Sequence, residues 1–262
     1  MSAFRDDLLV GKTAFVAGGT SGINLAIAQR LARAGAQVTV LGRNAEKAQR
    51  AAEGIAAAGG VAAHAAADVR DYGAISAALA EHRARFGEID VLVNGAAGNF
   101  PAPALGMSSN GFRAVVEIDL LGSFHGCRAA YEHLRKPGAS VINISAAQAF
   151  QAAPLQSHVC AAKAGVDMLT RCLAIEWGAA GVRVNSITPG PIDDTEGMRR
   201  LAPTDEMRQK AVASVPLGRF GRADEIAELA LFLCTESAAY VTGAVLVCDG
   251  GHSLLGFGSW AT

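Results

Sequence analysis

The feature that most restricts this chain is a regular alternation of short apolar runs with longer amphipathic ones. Residues 13–17, 37–41, 61–66, 89–93, 140–144, 182–187 and 244–248 are runs of five or six residues dominated by β-branched and small apolar side chains. Between them, 22–34, 44–58, 72–86, 109–136, 154–177 and 223–234 carry apolar residues at helical spacing, and Gly35, Gly87 and Gly178 fall at helix ends. Strands that are apolar throughout need cover on both faces. The pattern therefore predicts an α/β fold: a Rossmann-type, doubly wound parallel sheet of seven strands with helices on both sides, joined by right-handed crossovers. No fixed-period repeat and no linker-like stretch divides the chain, so residues 1–262 are expected to form a single domain.

Charge and cysteine content remove several function classes. The 23 basic and 24 acidic residues are spread along the chain, without the basic block that a nucleic-acid or membrane-surface partner requires. The five cysteines are odd in number, widely spaced and contain no Cys-x-x-Cys pair, which argues against a metal site and against a disulfide framework. Reduced thiols suit the cytoplasm. Residues 1–10 lack an apolar signal core, and Ser259-Trp260-Ala261-Thr262 is not a Ser-Lys-Leu address, so a cytoplasmic protein is expected.

The first strand runs directly into Gly18-Gly19-Thr20-Ser21-Gly22-Ile23 and then a helix. Glycines there allow a pyrophosphate close to the backbone, and a helix N-terminus supplies free N–H donors to it. The second strand ends in Leu41-Gly42-Arg43-Asn44, without the acidic residue that would bond a ribose 2′-hydroxyl. Arg43 can pair with a 2′-phosphate, which favours NADP(H) over NAD(H).

Asp68-Val69 after the third strand, Asn94-Gly95-Ala96-Ala97-Gly98 after the fourth and Pro189-Gly190-Pro191-Ile192 after the sixth complete an ordered set of motifs. Together they make the chain resemble the short-chain dehydrogenase/reductase family from residue 12 to Gly251. The resemblance implies that Asp68 and Val69 contact adenine and that the turn containing Asn94 and Ala96 lines the cofactor. It further implies that Pro189 and Gly190 meet the carboxamide, and that Ile192 and Thr195 hold the nicotinamide end. Asn24 stands where the family's glycine turn ends in Gly, so its side chain must either crowd the turn or reach a phosphate.

The family's catalytic pattern is incomplete here. Lys163 is present, but the Tyr slot four residues earlier holds Val159 and the Ser slot thirteen before that holds Ala146. Asp119 takes the place of the usual Asn, and Gln156 the place of Tyr in reductases with wider Tyr–Lys spacing. Carbonyl reduction needs an acid at the oxygen beside the carbon that receives hydride, worth roughly 10²–10⁴ in rate. Conjugate reduction of an unsaturated thioester instead spreads charge onto a remote enolate oxygen, and the carbon is protonated separately. The vacated slots thus leave a conjugated substrate or an inactive site.

A narrower resemblance covers Ala97-Gly98-Asn99-Phe100, Ile118-Asp119, Gln156-Ser157-His158, the segment from Ala174 to Gly178, that from Pro191 to Leu201, and that from Tyr240 to Val247. These are similar to 2,4-dienoyl-CoA reductases of the peroxisomal type, which also pair Asp with Lys and lack the Tyr. The resemblance implies NADPH-dependent reduction of a 2,4-dienoyl-CoA to a 3-enoyl-CoA, with Asp119 and Lys163 catalytic. Lys163 would orient the nicotinamide ribose, and both would hold a water that relays the proton. Asn99, Phe100 and His158 would border the substrate, and a lid at about 192–215 would carry Arg199 and Arg200 towards coenzyme A phosphates, unless that pair is simply a solvated basic patch. Two long Ala-rich helices imply, by the same resemblance, a homotetramer. The alternatives are a short-chain reductase acting on another activated alkene or carbonyl, and a non-catalytic NADP(H)-binding protein.

Overall fold

The computed structural model describes residues 4–195, 198–199 and 202–255. Seven parallel strands form one sheet in the order β3-β2-β1-β4-β5-β6-β7. They are β1 (Thr13–Ala17), β2 (Gln37–Gly42), β3 (Val61–Ala66), β4 (Val91–Asn94), β5 (Ser140–Ile144), β6 (Arg183–Pro189) and β7 (Val245–Cys248). The helices are α1 (Gly22–Arg33), α2 (Ala45–Ala57), α3 (Tyr72–Phe86), α4 (Ser109–Val116), α5 (Gly122–Ala130), α6 (Ser157–Gly178), α7 (Asp205–Ala213) and α8 (Ala223–Leu233). The expected doubly wound parallel sheet is therefore the observed one.

Alternate residues of each strand feed two separate cores, which is why the strand sequences are apolar throughout. Ala14 and Val16 of β1, with Val38 and Val40 of β2, pack under α1, α2 and α8 through Ile27, Leu31, Ile55 and Leu231. Phe15 and Ala17 face the other way, joining Leu41, Leu92 and Val141 beneath α3, α5 and α6 through Ile75, Leu79, Cys127 and Trp177. Side chains end helices where sequence chemistry predicts: Asn44 accepts from Lys47 N (2.8 Å) and Asp71 from Ala74 N (3.0 Å).

Four segments differ from expectation. The β4 ladder starts at Val91 rather than 89. Ile89 makes only a single bridge to Leu134, and the Asp90 carboxylate is taken by Thr13 N, Lys12 and Arg135. The helix expected over 109–136 is interrupted: residues Glu117–Leu121 form a wide turn in which Gly122 N donates to Glu117 O, and only then does α5 begin. The helix expected from 154 starts at Ser157, because Leu155 adopts φ 64° and its carbonyl accepts from Ala102 N (2.9 Å). Finally, α7 lies inside the stretch read as a lid, with Thr204 capping its start, and a small core of Met198, Ala202 and Phe220 packs beside it.

One buried polar contact ties α3 to the sheet. His82 Nδ1 lies 2.7 Å from Thr39 Oγ1 and Nε2 lies 3.2 Å from Thr13 Oγ1. Burial, with a smaller push from His133 and an opposing pull from Asp90, drives its pKa down from 6.5 to about 4. The unfolded chain thus takes up a proton first as pH falls. The stability contribution is fully present above pH 6.5 and is lost progressively down to about 4. His82→Phe is expected to flatten the pH dependence of the urea midpoint inside that window; a slope equal to that of the unmodified chain would rule His82 out as its source.

Candidate active site

In the sheet order, β1 is flanked by β2 on one side and β4 on the other, so the winding reverses between β1 and β4. A crevice opens at such a reversal, outside the carboxyl ends of the strands. The β1–α1 turn approaches the β4 turn so closely that a Cβ on Gly18, whose φ is 77°, would sit 2.8 Å from Ala96 N. A Cβ on Gly22 (φ 56°) would make an ordinary contact with the Thr195 methyl at 3.8 Å. Ser21 precedes α1 without bonding back to it, so the first-turn N–H groups are not capped by that side chain. Ile23 packs partly against the core, and Thr20 lies against Gly42, where a Cβ would be 2.6 Å from Cγ2. Arg43 follows at the surface.

Asn24 neither crowds the turn nor turns outward to a phosphate. Its Nδ2 donates to Gly95 O at 2.7 Å, and the space is available because Gly95 has no side chain: a Cβ there would meet Asn24 Oδ1 at 2.1 Å. The two cofactor turns are thereby bolted together. Beyond β3, Asp68 accepts a forked pair from Arg70 (3.0 and 2.6 Å). That bond, aided by the Arg43 charge and opposed by partial burial, holds its pKa at about 2, so Asp68 is ionised at working pH. Val69 is buried, and its carbonyl lies 2.9 Å from His125 Nδ1.

On the opposite wall, a Cβ on Gly190 would come within 2.5 Å of Asp249 Cα, so the Pro189-Gly190 backbone is pressed against the turn after β7. Ile192 is buried, and Thr195 Oγ1 donates to Ile192 O (2.8 Å) while accepting from Met198 N (3.3 Å). Arg199 is exposed and donates to Asp194 O at 3.1 Å; Arg200 lies outside the described residues. Asn94 departs from expectation. Its amide turns into the core, donating to Asn143 Oδ1 (3.0 Å) and towards Cys127 Sγ (3.2 Å), so its side chain is not on the cofactor side.

At the centre, the wide turn of 117–121 carries Asp119 inward to 1% exposure. Oδ1 accepts from Gly98 N (2.7 Å), and Oδ2 lies 3.3 Å from Lys163 Nζ. Lys163, 5% exposed on α6, also donates to Ile144 O at 2.9 Å. The Asp119 contact is an ion pair in which Oδ2 accepts no hydrogen bond, so of the three ammonium N–H groups only the one given to Ile144 O is used. Close by in the fold, Ser145 Oγ and Thr188 Oγ1, at the ends of β5 and β6, are buried without hydrogen-bond partners. Asn99 Nδ2 and Gln148 Nε2 both donate to Gln156 Oε1 at 3.1 Å. Of these, Gln148, Ser145 and Thr188 had no recognisable sequence signal.

The glycine cradle, uncapped helix end and unpartnered hydroxyls fit a dinucleotide bound across the crevice. Comparison with known proteins agrees with that architecture. A family model described as enoyl-(acyl carrier protein) reductase matches residues 17–253. The chain is 44% identical to a peroxisomal 2,4-dienoyl-CoA reductase of Danio rerio over 95% of its own length and 83% of that protein. It is 42% identical to the Saccharomyces cerevisiae peroxisomal 2,4-dienoyl-CoA reductase, over 97% and 88%. A gluconate 5-dehydrogenase from Burkholderia cenocepacia, crystallised with NADP and tartrate, superposes with a TM-score of 0.89 at 33% identity, covering 95% of this chain and 98% of that one. This chain belongs to the short-chain dehydrogenase/reductase family.

Within that family of oxidoreductases, the structure shows what fills the vacated slots. Val159 packs with Val115 and Ala162 in a small apolar cluster between α4 and α6. Ala146 starts the short turn after β5. Neither can give or take a proton, and Asp119 with Lys163 is the ionisable pair at the centre of the cleft. His158 is fully buried under the ring of Phe100, with centroids 4.7 Å apart.

Removing one member of such a pair strands the other in the interior. Lys163→Met is expected to cost about 3–5 kcal/mol in urea denaturation, because Asp119 is left charged and unpaired. Adding Asp119→Leu to Lys163→Met is expected to return much of that loss. A double variant no more stable than Lys163→Met would show that the two side chains do not interact.

Proposed function

We propose that this enzyme is an NADPH-dependent 2,4-dienoyl-CoA reductase that forms a 3-enoyl-CoA. The observation that carries this reading is the buried Asp119–Lys163 pair in a cleft where the phenol and hydroxyl positions hold Val159 and Ala146. The names of the Danio and Saccharomyces relatives, both described as (3E)-enoyl-CoA-producing, support it.

Gly18, Thr20, Ser21, Gly22 and Ile23 would hold the pyrophosphate, with Arg43 at the 2′-phosphate and Asp68 and Val69 at the adenine. Ala96, Pro189, Gly190, Ile192 and Thr195 would enclose the nicotinamide end, and Asn94 contributes only by fixing the turn that Ala96 belongs to. A bound NADPH would supply hydride chemistry, and C5 of the dienoyl thioester would be the accepting carbon. The charge then moves through the conjugated system to the thioester oxygen, so no acid is needed beside C5. Protonation at C2 restores the carbonyl and leaves the C3–C4 double bond.

Lys163 would position the nicotinamide ribose with an N–H that Ile144 O does not take. The carboxylate of Asp119, fixed at one oxygen by Gly98 N, orients through Oδ2 a water whose proton passes to C2, and the hydroxide left behind takes up a proton from solvent. Asn99 and Phe100 line the acyl side. Exposed Arg199 would meet a coenzyme A phosphate, and Arg200 is assigned to the same phosphates on sequence alone.

Two coarser properties accompany this reading. No helix among the described residues is long and apolar enough to cross a membrane, and all five cysteines are free, which suits a reducing compartment such as the cytoplasm. Leu121, Phe124, Met168 and Ile175 leave an apolar stretch exposed along the α5–α6 side, as an enzyme assembling into a homotetramer would require.

Three measurements test the proposal. NADPH consumption is expected with 2,4-hexadienoyl-CoA and not with crotonyl-CoA or simple ketones; tight NADPH binding with no turnover on any of them would instead support a non-catalytic cofactor-binding protein. Asp119→Ala is expected to lower kcat by roughly 10²–10⁴ while NADPH affinity stays within about twofold. Arg43→Ala is expected to weaken NADPH binding by roughly 10–100-fold, in line with one charge-assisted bond, and to leave NADH binding unchanged. Equal weakening of both cofactors would remove Arg43 from the 2′-phosphate.

A further inference from the structure

His158 opens the first turn of α6 and has no exposed surface, yet neither ring nitrogen has a hydrogen-bond partner. An imidazole so placed gives up its hydration with nothing in return. The same fold shows how it treats a structural histidine: His82, equally hidden, has a threonine hydroxyl within reach of each nitrogen. Two buried imidazoles with opposite treatment indicate that the nitrogens of His158 are kept for something else.

Its surroundings identify what that is. The ring is covered by Phe100, tilted at 57° with centroids 4.7 Å apart, and Phe100 is itself 38% exposed. The cover therefore has the imidazole on one side and open space on the other. Phe100 also stands two residues beyond Gly98, whose N–H is held by Asp119, so one short loop connects the ion pair to the histidine's cover. Along α6, His158 precedes Lys163 by five residues, about 7.5 Å of helix axis. Five residues also turn about 140° around the helix axis, so the imidazole approaches the space over Lys163 and Asp119 from the Phe100 side, beside Lys163 rather than in line with it.

We propose that His158 is a catalytic residue that donates a ring N–H to the thioester carbonyl oxygen of the substrate. This role rests on the dienoyl-CoA reading of the site. Hydride addition at C5 pushes the C4–C5 electron pair into C3–C4 and the C2–C3 pair into C1–C2. The carbonyl pair moves onto oxygen, giving a dienolate. The imidazole proton stays on nitrogen throughout; it stabilises the oxyanion, and the proton that reaches C2 comes from the water at Asp119. Either neutral tautomer of an imidazole carries one N–H, so the role needs no protonation of the ring. A donor aimed at a developing oxyanion acts in the transition state more than in the ground state, which makes its loss visible in kcat.

The test uses the NADP⁺-loaded enzyme, which binds 2,4-hexadienoyl-CoA without turnover. A hydrogen bond to the carbonyl polarises the dienoyl chromophore and shifts its ultraviolet band to the red. The unmodified enzyme is expected to show that shift. His158→Leu is expected to lose it, to lose roughly 10²–10³ in kcat with NADPH, and to bind NADPH within about twofold of the unmodified affinity. His158→Gln, which keeps an N–H donor, is expected to recover part of both the shift and the rate. The proposal is overturned if the active, unmodified enzyme shows no red shift, or if His158→Leu retains both band position and kcat, the result for a packed or water-bonded histidine. Failure of the unmodified enzyme to reduce any dienoyl-CoA would overturn the functional reading itself, and is distinguishable because it precedes any comparison of variants.

Discussion

The cleft is organised by one buried ion pair. Asp119 and Lys163 come from different helical segments, and each holds a further piece of backbone: Gly98 N after β4 and Ile144 O at the end of β5. Four chain segments thus meet at two side chains. A buried pair of this sort contributes little net stability, because desolvating both ions offsets most of their attraction. In a domain whose two cores are built mostly from Ala, Val, Ile and Leu, an apolar replacement would serve packing as well. Its retention at the mouth of the sheet, rather than deep in either core, points to chemistry as the reason for it.

The wide turn at Glu117–Leu121 is the local device that makes the pair available. A regular helix running from 109 would place successive side chains at a fixed 100° step. One extra residue in the turn resets that phase, and the reset brings Asp119 to the inside. Such widened turns are rare and concentrate at functional sites. The following residue, Gly122, leaves room for Val69 from the adenine side, where a Cβ would approach Cγ2 to 2.7 Å. The same turn therefore connects the proposed catalytic carboxylate to the cofactor wall.

These particulars mark where sequence reading reaches its limit. Strand and helix bounds were legible where periodicity and capping agreed: 13–17, 61–66, 72–86 and 140–144 coincide with β1, β3, α3 and β5. The wide turn was not, since Glu-Ile-Asp-Leu-Leu continues a helical pattern and the insertion depends on tertiary packing. Helix α7 was missed because its sequence is mostly polar and buries none of its residues, leaving no apolar stripe to read. At the site, the Asp119–Lys163 pairing was readable only through family resemblance. The partner of Asn24 was not readable at all: nothing in the sequence joins position 24 to the bare backbone of Gly95, although each residue explains the other once they are seen together.

The distribution of unsatisfied polar atoms carries the reasoning one step further. A folded chain normally pairs its buried donors and acceptors, and exceptions need a cause. Asn24 Oδ1, Ser145 Oγ, Thr188 Oγ1 and both nitrogens of His158 are such exceptions. They arise from α1, β5, β6 and α6, far apart in sequence, yet each stands next to a turn or strand end that borders the crevice. Others do lie away from the crevice, on Arg83 and Asn94, but those beside it leave hydrogen-bonding capacity for a ligand there. That reserve is the physical counterpart of the missing Tyr and Ser. On the proposed reading, the site lacks two groups that would act on a carbonyl beside the hydride-accepting carbon and keeps donors and acceptors over the longer reach of a conjugated thioester.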